Sequence, residues 1–136
     1  MATLVEPFES AEDIFNPNYA KVVADARGRA LYFSRAPIPY HRGSARVLSA
    51  DFRAELGSRT AGLNGYWKHQ GIYAYRTDVL FELTRLQPSP LEIDEGLEQL
   101  RALQAGYSIR VVVSDFRSVS VDTPADLEKA AQYLAV

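Results

Sequence analysis

Cysteine is absent from the 136-residue chain, and histidine occurs only twice. No disulfide, thiolate metal site or cysteine nucleophile is available, and a zinc site would lack the imidazoles it needs. That absence fits a reducing, cytoplasmic setting. An excess of one charge is missing as well: 15 basic against 17 acidic residues leave a formal charge of −2. A broad basic face for nucleic acid is thereby excluded, so any anionic ligand has to be met by local groups. Long apolar runs are also lacking. The run 109–113, with Arg110 inside it, is far too short for a bilayer, and no charged-then-apolar leader opens the sequence, so neither export nor membrane attachment is expected. Finally, neither GxGxxG nor GxxxxGK[ST] occurs, so a phosphate cradle for a nucleotide would lie outside this sequence.

What is present is an ordinary globular composition, 47% hydrophobic. At this length one domain with one core is the default. Residues 2–5 read as a strand, and Ser10 with Asp13 three residues on reads as a helix start. Residues 20–25 and 29–34 are β-branched, aromatic and apolar on either side of Asp25-Ala26-Arg27-Gly28, which predicts a β-hairpin. Residues 35–67, with Pro37, Pro39 and four later glycines, predict a long lid, binding loop or partner-facing arm. Residues 68–76 alternate as a strand, and Thr77 caps a helix to Leu86. Leu91, Leu97, Leu100 and Leu103 mark one further helix, which stops at Gly106. Residues 107–113 form a strand, and a short one at 119–121 runs through Thr123-Pro124 into a last helix ending near Leu134. No internal repeat is visible. The order is that of an α/β protein.

Several residues could carry chemistry. Strand alternation places His69, Gly71, Tyr73 and Tyr75 on one face, polar and aromatic around a small residue. Such a face suits hydrogen bonding to a sugar or carboxylate, with the glycine giving clearance; it equally suits a core edge. Glu92, Glu95 and Glu98 recur at i, i+3 spacing, the pattern of a solvated helix face as well as of an acidic site, and Gln99 follows them. Asp122 stands at a strand-to-helix junction, where it either holds Mg²⁺ against phosphates or, with Thr123, caps the helix. Arg35 and Arg42 flank a proline-stiffened segment and match carboxylate or phosphate groups bidentately.

Four strings then speak together: Leu31-Tyr32-Phe33-Ser34-Arg35-Ala36-Pro37-Ile38-Pro39, His69-Gln70-Gly71-Ile72-Tyr73-Ala74-Tyr75-Arg76, Pro88-Ser89-Pro90-Leu91-Glu92 with Leu97-Glu98-Gln99-Leu100-Arg101, and Val121-Asp122-Thr123-Pro124-Ala125-Asp126-Leu127-Glu128. In order and spacing the chain resembles the C-terminal half of the 3-deoxy-manno-octulosonate (Kdo) cytidylyltransferases throughout its length. The resemblance implies the C-terminal part of a nucleotide-diphospho-sugar-transferase-like, Rossmann-like α/β/α fold, a mixed sheet with a β-hairpin. It implies an enzyme that couples CTP and Kdo to CMP-Kdo with release of pyrophosphate, in lipopolysaccharide synthesis in a bacterial cytoplasm. By the same resemblance Arg35, His69, Tyr73, Glu98 and Gln99 line the Kdo site, Asp122 is a Mg²⁺ ligand, and this half is the one that dimerises. The family's N-terminal half, with its phosphate loop and a further metal-binding aspartate in a QGDEP-like string, has no counterpart here. The expectation is a fragment or split partner, inactive alone; the alternative is a non-catalytic sugar-acid-binding or dimerisation module.

Overall fold

Asp25 decides where the chain first doubles back. Its Oδ1 accepts from the N–H groups of Arg27 (2.9 Å) and Arg29 (2.8 Å), and its Oδ2 accepts from Arg29 Nε at 2.8 Å. An aspartate that bonds its own downstream backbone builds a turn without help from the rest of the protein. The hairpin predicted from sequence follows directly.

The computed structural model describes residues 1–8, 10, 12–40, 66–116, 121 and 124–134. Its elements are β1 (Ala2–Pro7), a single 3-10 turn (Asp13–Phe15), β2 (Lys21–Ala24), β3 (Ala30–Ser34), β4 (Trp67–Ala74), α1 (Thr77–Leu83), α2 (Pro90–Glu95), α3 (Gln99–Gln104), β5 (Arg110–Val113) and α4 (Pro124–Leu134). The five strands form one mixed sheet in the order β3-β2-β4-β1-β5. Strand β1 is antiparallel to β4 and parallel to β5, while β2 is antiparallel to β3 and, over Lys21 and Val22, to β4. The sheet curls until its two ends meet: Val111 N donates to Gly28 O at 2.8 Å and Ala30 N to Ile109 O at 2.9 Å.

Inside the curl Val22 and Phe33 face each other across the hairpin, and both are fully buried. Helix α3 packs on β3 and adds Leu100 to the same core, with Val5 and Ile109 from the sheet. A smaller cluster gathers Phe8, Ile14 and Tyr66.

Three sequence expectations need correction. Ser10 does bond Asp13 N (3.2 Å), but only one 3-10 turn forms before Asn16 and Pro17 end it. Thr77 is the first helical residue of α1 and Arg76 the cap, with no side-chain cap bond, and the helix ends at Leu83. The single helix expected up to Gly106 is two helices. Ser89 and Glu92 close a capping box at the start of α2, and Gly96 ends it in the left-handed conformation (φ 61°, ψ 42°). That backbone favours glycine, so the break is written at one position. The leucine spacing survives because Leu97 and Leu100 reach the core from the corner and from α3. Arg101 then ties α3 back: its Nε and Nη2 grip both oxygens of Glu92, and its Nη1 donates to Leu86 O at 3.0 Å. The loop over residues 41–65 and most of the strand expected at 119–121 lie outside the described residues.

Lys21 is fully buried at the start of β2, and its ammonium donates to three main-chain carbonyls, those of Asn16 (2.8 Å), Tyr19 (2.7 Å) and Arg35 (2.7 Å). It joins the turn after the 3-10 helix to the end of β3. Lys21→Met keeps the stem and removes the donors, so it is expected to destabilise the chain by about 2–3 kcal/mol in urea unfolding, the cost of stranding buried carbonyls. A change within about 0.5 kcal/mol, the size of an ordinary surface effect, would remove this anchor from the account of the fold.

Candidate functional site

The site is built on an irregularity in β4. Val5 pairs with His69 and Thr3 with Tyr73, so two steps along β1 answer four along β4. The surplus of two residues is even, which keeps His69 and Tyr73 on one face, as alternation predicts. Gly71 sits in the surplus with φ 71°, and nothing lies within 4 Å of where its Cβ would be. The backbone of the bulge calls for glycine here, and the space beside it is open.

His69 packs against Phe33 edge-on (centroids 5.1 Å) and against Tyr73 (5.2 Å), and Tyr73 in turn packs against Tyr75 (5.8 Å). Thr3, almost fully buried, fixes the imidazole's tautomer. Its hydroxyl donates to Ile72 O at 2.8 Å, so at the 2.8 Å contact with His69 Nε2 the nitrogen has to be the donor. The proton sits on Nε2, and Nδ1 is the unprotonated nitrogen. Burial pushes the His69 pKa down to about 4, so the ring is neutral across the physiological range. Burial raises Tyr73 as well, with Tyr75 and Glu98 adding, and raises Tyr75 with Glu98 adding, so both phenols stay protonated.

A cleft of about 270 Å³ opens beside these rings, lined among others by Tyr73, Tyr75, Leu83, Glu98, Gln99 and Arg101. Sheet, α1 and the α2–α3 corner each supply a wall. Gln99 is 5% exposed, and its Nε2 has no hydrogen-bond partner among the described residues. A buried amide donor left unpaired costs free energy unless something else accepts from it. Beside an exposed carboxylate, Glu98, and two phenols, the cleft offers donors and acceptors in the pattern that binds a polyhydroxylated molecule against aromatic rings.

The sequence-predicted residues thus divide. Tyr73, Glu98 and Gln99 share the cleft, and His69 stands behind Tyr73. Arg35 lies at the end of β3 with its guanidinium on carbonyls: Nε donates to Glu95 O (2.7 Å), Nη1 to Pro17 O (2.9 Å) and Nη2 to Gly96 O (3.2 Å). Asp122 and Arg42 lie outside the described residues. Among the described residues no cluster of three or more histidine, aspartate or glutamate side chains could hold a metal ion, and no helix is long and apolar enough to cross a membrane. Sequence reasoning passed over Thr3, Arg101 and the α1 wall. Tyr75 was in plain view, two residues from Tyr73 and just past the end of β4, but nothing in the sequence links Thr3 to His69.

The mixed sheet with its helices defines an α/β protein, and the aromatic face and polar cleft are its candidate site. Residues 1–110 match the family model described as Cytidylyltransferase, and the chain belongs to that family. It is 47% identical over 136 residues to the 3-deoxy-manno-octulosonate cytidylyltransferase of Xanthomonas campestris pv. campestris, 45% identical over 139 residues to that of Parabacteroides distasonis and 46% identical over 127 residues to that of Cytophaga hutchinsonii. These alignments cover 99%, 99% and 93% of this chain but 51%, 51% and 47% of the relatives, so the chain spans about half the length of the curated relatives it matches. A solved structure of CMP:2-keto-3-deoxy-manno-octonic acid synthetase complexed with CTP superposes with a TM-score of 0.77 at 42% identity, over 98% of this chain and 48% of that one.

The buried imidazole carries a pH dependence. With a folded pKa of about 4 against the ordinary 6.5, the unfolded chain takes up the proton first, so His69 opposes the folded state increasingly as pH falls from 6.5 to 4. Up to about 3 kcal/mol is lost over that window. In denaturant titrations, His69→Gln is expected to flatten the wild-type slope between those pH values; an unchanged slope would mean that the ring is protonated in the fold.

Proposed function

We propose that this chain is the sugar-acid half of a 3-deoxy-manno-octulosonate cytidylyltransferase, which joins CTP and Kdo to form CMP-Kdo and pyrophosphate for lipopolysaccharide synthesis. The observation that carries this reading is the unpaired, buried Gln99 amide in the cleft with Tyr73, Tyr75 and Glu98: a sugar hydroxyl would accept from the amide and donate to the carboxylate. His69, neutral and held by Thr3, would support Tyr73 and offer Nδ1 as an acceptor. Arg35 keeps N–H groups beyond those on carbonyls and is the proposed receptor of the sugar's carboxylate.

The reaction is an attack of the sugar's anomeric hydroxyl on the α-phosphorus of CTP, with pyrophosphate leaving. This half would bind and orient the sugar so that the hydroxyl is presented in line, which is where much of the rate of such a transfer arises. Asp122 is the proposed ligand of Mg²⁺, which when bound would neutralise phosphate charge. CTP binding falls to the half of the relatives that this chain does not span. We place the complete enzyme in the cytoplasm as a homodimer or larger assembly, to which the exposed Val112, Val113 and Phe116 would contribute apolar surface.

Fusing this chain to the N-terminal half of the Xanthomonas campestris relative gives the test. With CTP, Kdo and Mg²⁺ the fusion is expected to release pyrophosphate and this chain alone to release none. Gln99→Leu in the fusion should raise the KM for Kdo about tenfold, the equivalent of one hydrogen bond at the upper end of its usual range. A folded fusion without activity would refute the reading. Micromolar binding of Kdo by this chain without CTP, together with an inactive fusion, would point to a non-catalytic binding module.

A further inference from the structure

The three glutamates of the i, i+3 stripe have three different fates. Glu92 closes the capping box and holds Arg101, Glu98 faces the cleft, and Glu95 turns back to the hairpin. The Glu95 carboxylate accepts from Ser34 Oγ at 2.6 Å, from the main-chain N–H of Arg35 at 2.8 Å and from Tyr32 OH at 3.3 Å. In return Arg35 donates to the carbonyls of Glu95 and Gly96. Bonds thus cross in both directions between the end of β3 and the residue where α2 stops, sixty positions apart in sequence.

Immediately after Glu95 the chain turns at Gly96 and delivers Glu98 and Gln99 to the cleft. Within the turn the local bonds are Leu97 N to Glu92 O (3.2 Å), Leu100 N to Leu97 O (3.1 Å) and Arg101 N to Glu98 O (3.1 Å). These shape the turn but do not fix it relative to the sheet that carries Tyr73. Burial of Leu97 and Leu100 presses the turn onto the core, and apolar packing alone is non-directional. The directional contacts to the end of β3 are those of Glu95, together with the bond from Arg35 to Gly96 O. Burial pushes its carboxyl up, but the bonds from Ser34, Arg35 and Tyr32 and the Arg35 charge outweigh that and hold it below the usual carboxylate range. It therefore acts as an anion at neutral pH, and hydrogen bonds to an ion are the stronger and more orienting kind.

We propose that Glu95 is a positioning residue: by clamping the α2–α3 turn to β3 it sets where Glu98 and Gln99 stand in the cleft. The part that concerns ligand rests on the reading of the cleft as a sugar-acid site; the clamp itself does not.

Glu95→Gln in this chain keeps the shape and removes the charge. Hydrogen exchange of the backbone amides of residues 97–101 is expected to speed up about tenfold, the equilibrium shift for losing a charge-assisted bond, while amides in the β1–β4 ladder keep their wild-type rates. Unchanged exchange at 97–101 would overturn the clamp. In the two-half fusion, Glu95→Gln should raise the KM for Kdo with little change in kcat. In a Gln99→Leu background it should add clearly less than in the wild type, because part of its effect acts through Gln99. Full additivity with Gln99→Leu would overturn the positioning role even if exchange responds. A fusion inactive in the wild type would refute the sugar-acid reading, and the exchange experiment would still decide the clamp. If Glu95→Gln does not fold, Ser34→Ala removes one of the three donors, and faster exchange at 97–101, smaller than tenfold, is the expected result; no change would overturn the proposal.

Discussion

The antiparallel pairing of β1 with β4 is the constraint on which the rest hangs. It joins the first residues of the chain to residues 67–74, so every contact in it closes a long loop and gains nothing until that loop is closed. Once formed it does three things. It leaves β1 its other edge for β5, and it offers the first residues of β4 to β2, which brings the hairpin into the sheet. It also places Thr3 under His69, so a contact sixty-six residues apart fixes the protonated nitrogen of the imidazole. Without the pairing there would be a free-standing hairpin and a helical pair with no common face.

How much of this could be read in advance depended on how local the deciding interaction is. The hairpin was legible because Asp25 makes its turn with its own neighbours; the capping box that starts α2 is equally local, although leucine spacing and not the cap marked a helix there. The break at Gly96 was also written locally, yet leucine spacing carried across it and suggested one helix. Periodicity reports which residues are buried, and both a straight helix and a turn followed by a second helix can bury Leu97 and Leu100. The bulge at Gly71 kept the strand's alternation because it added an even number of residues, so the face was read correctly although the register was not visible.

The site was legible in its residues and not in its connections. Tyr73, Glu98 and Gln99 were singled out and do meet in one cleft. The glutamate stripe looked uniform because charge and spacing are all that a sequence shows of it. What separates Glu92, Glu95 and Glu98 is the break between the second and third of them, which turns one helical face into a cap, a clamp and a cleft wall. Arg35 was expected at a carboxylate and is found with three of its N–H groups on carbonyls, a role that depends on Pro17 and on the far corner and so leaves no local trace.

The same kind of bond shows which charges hold the fold together. Lys21 gives its ammonium to three carbonyls, Arg101 its fork to Glu92, Lys68 pairs with Glu6 at 2.8 Å, and much of Arg35 holds the turn in place. Glu98, an exposed anion, lines the cleft. Hydroxyls of a sugar are well met by such a wall, whereas a triphosphate needs donors and cations gathered on its oxygens. Lys21, Arg101 and Lys68 are thus committed to holding the sheet and its corners, and turning any of them to another partner would strand buried carbonyls or a carboxylate.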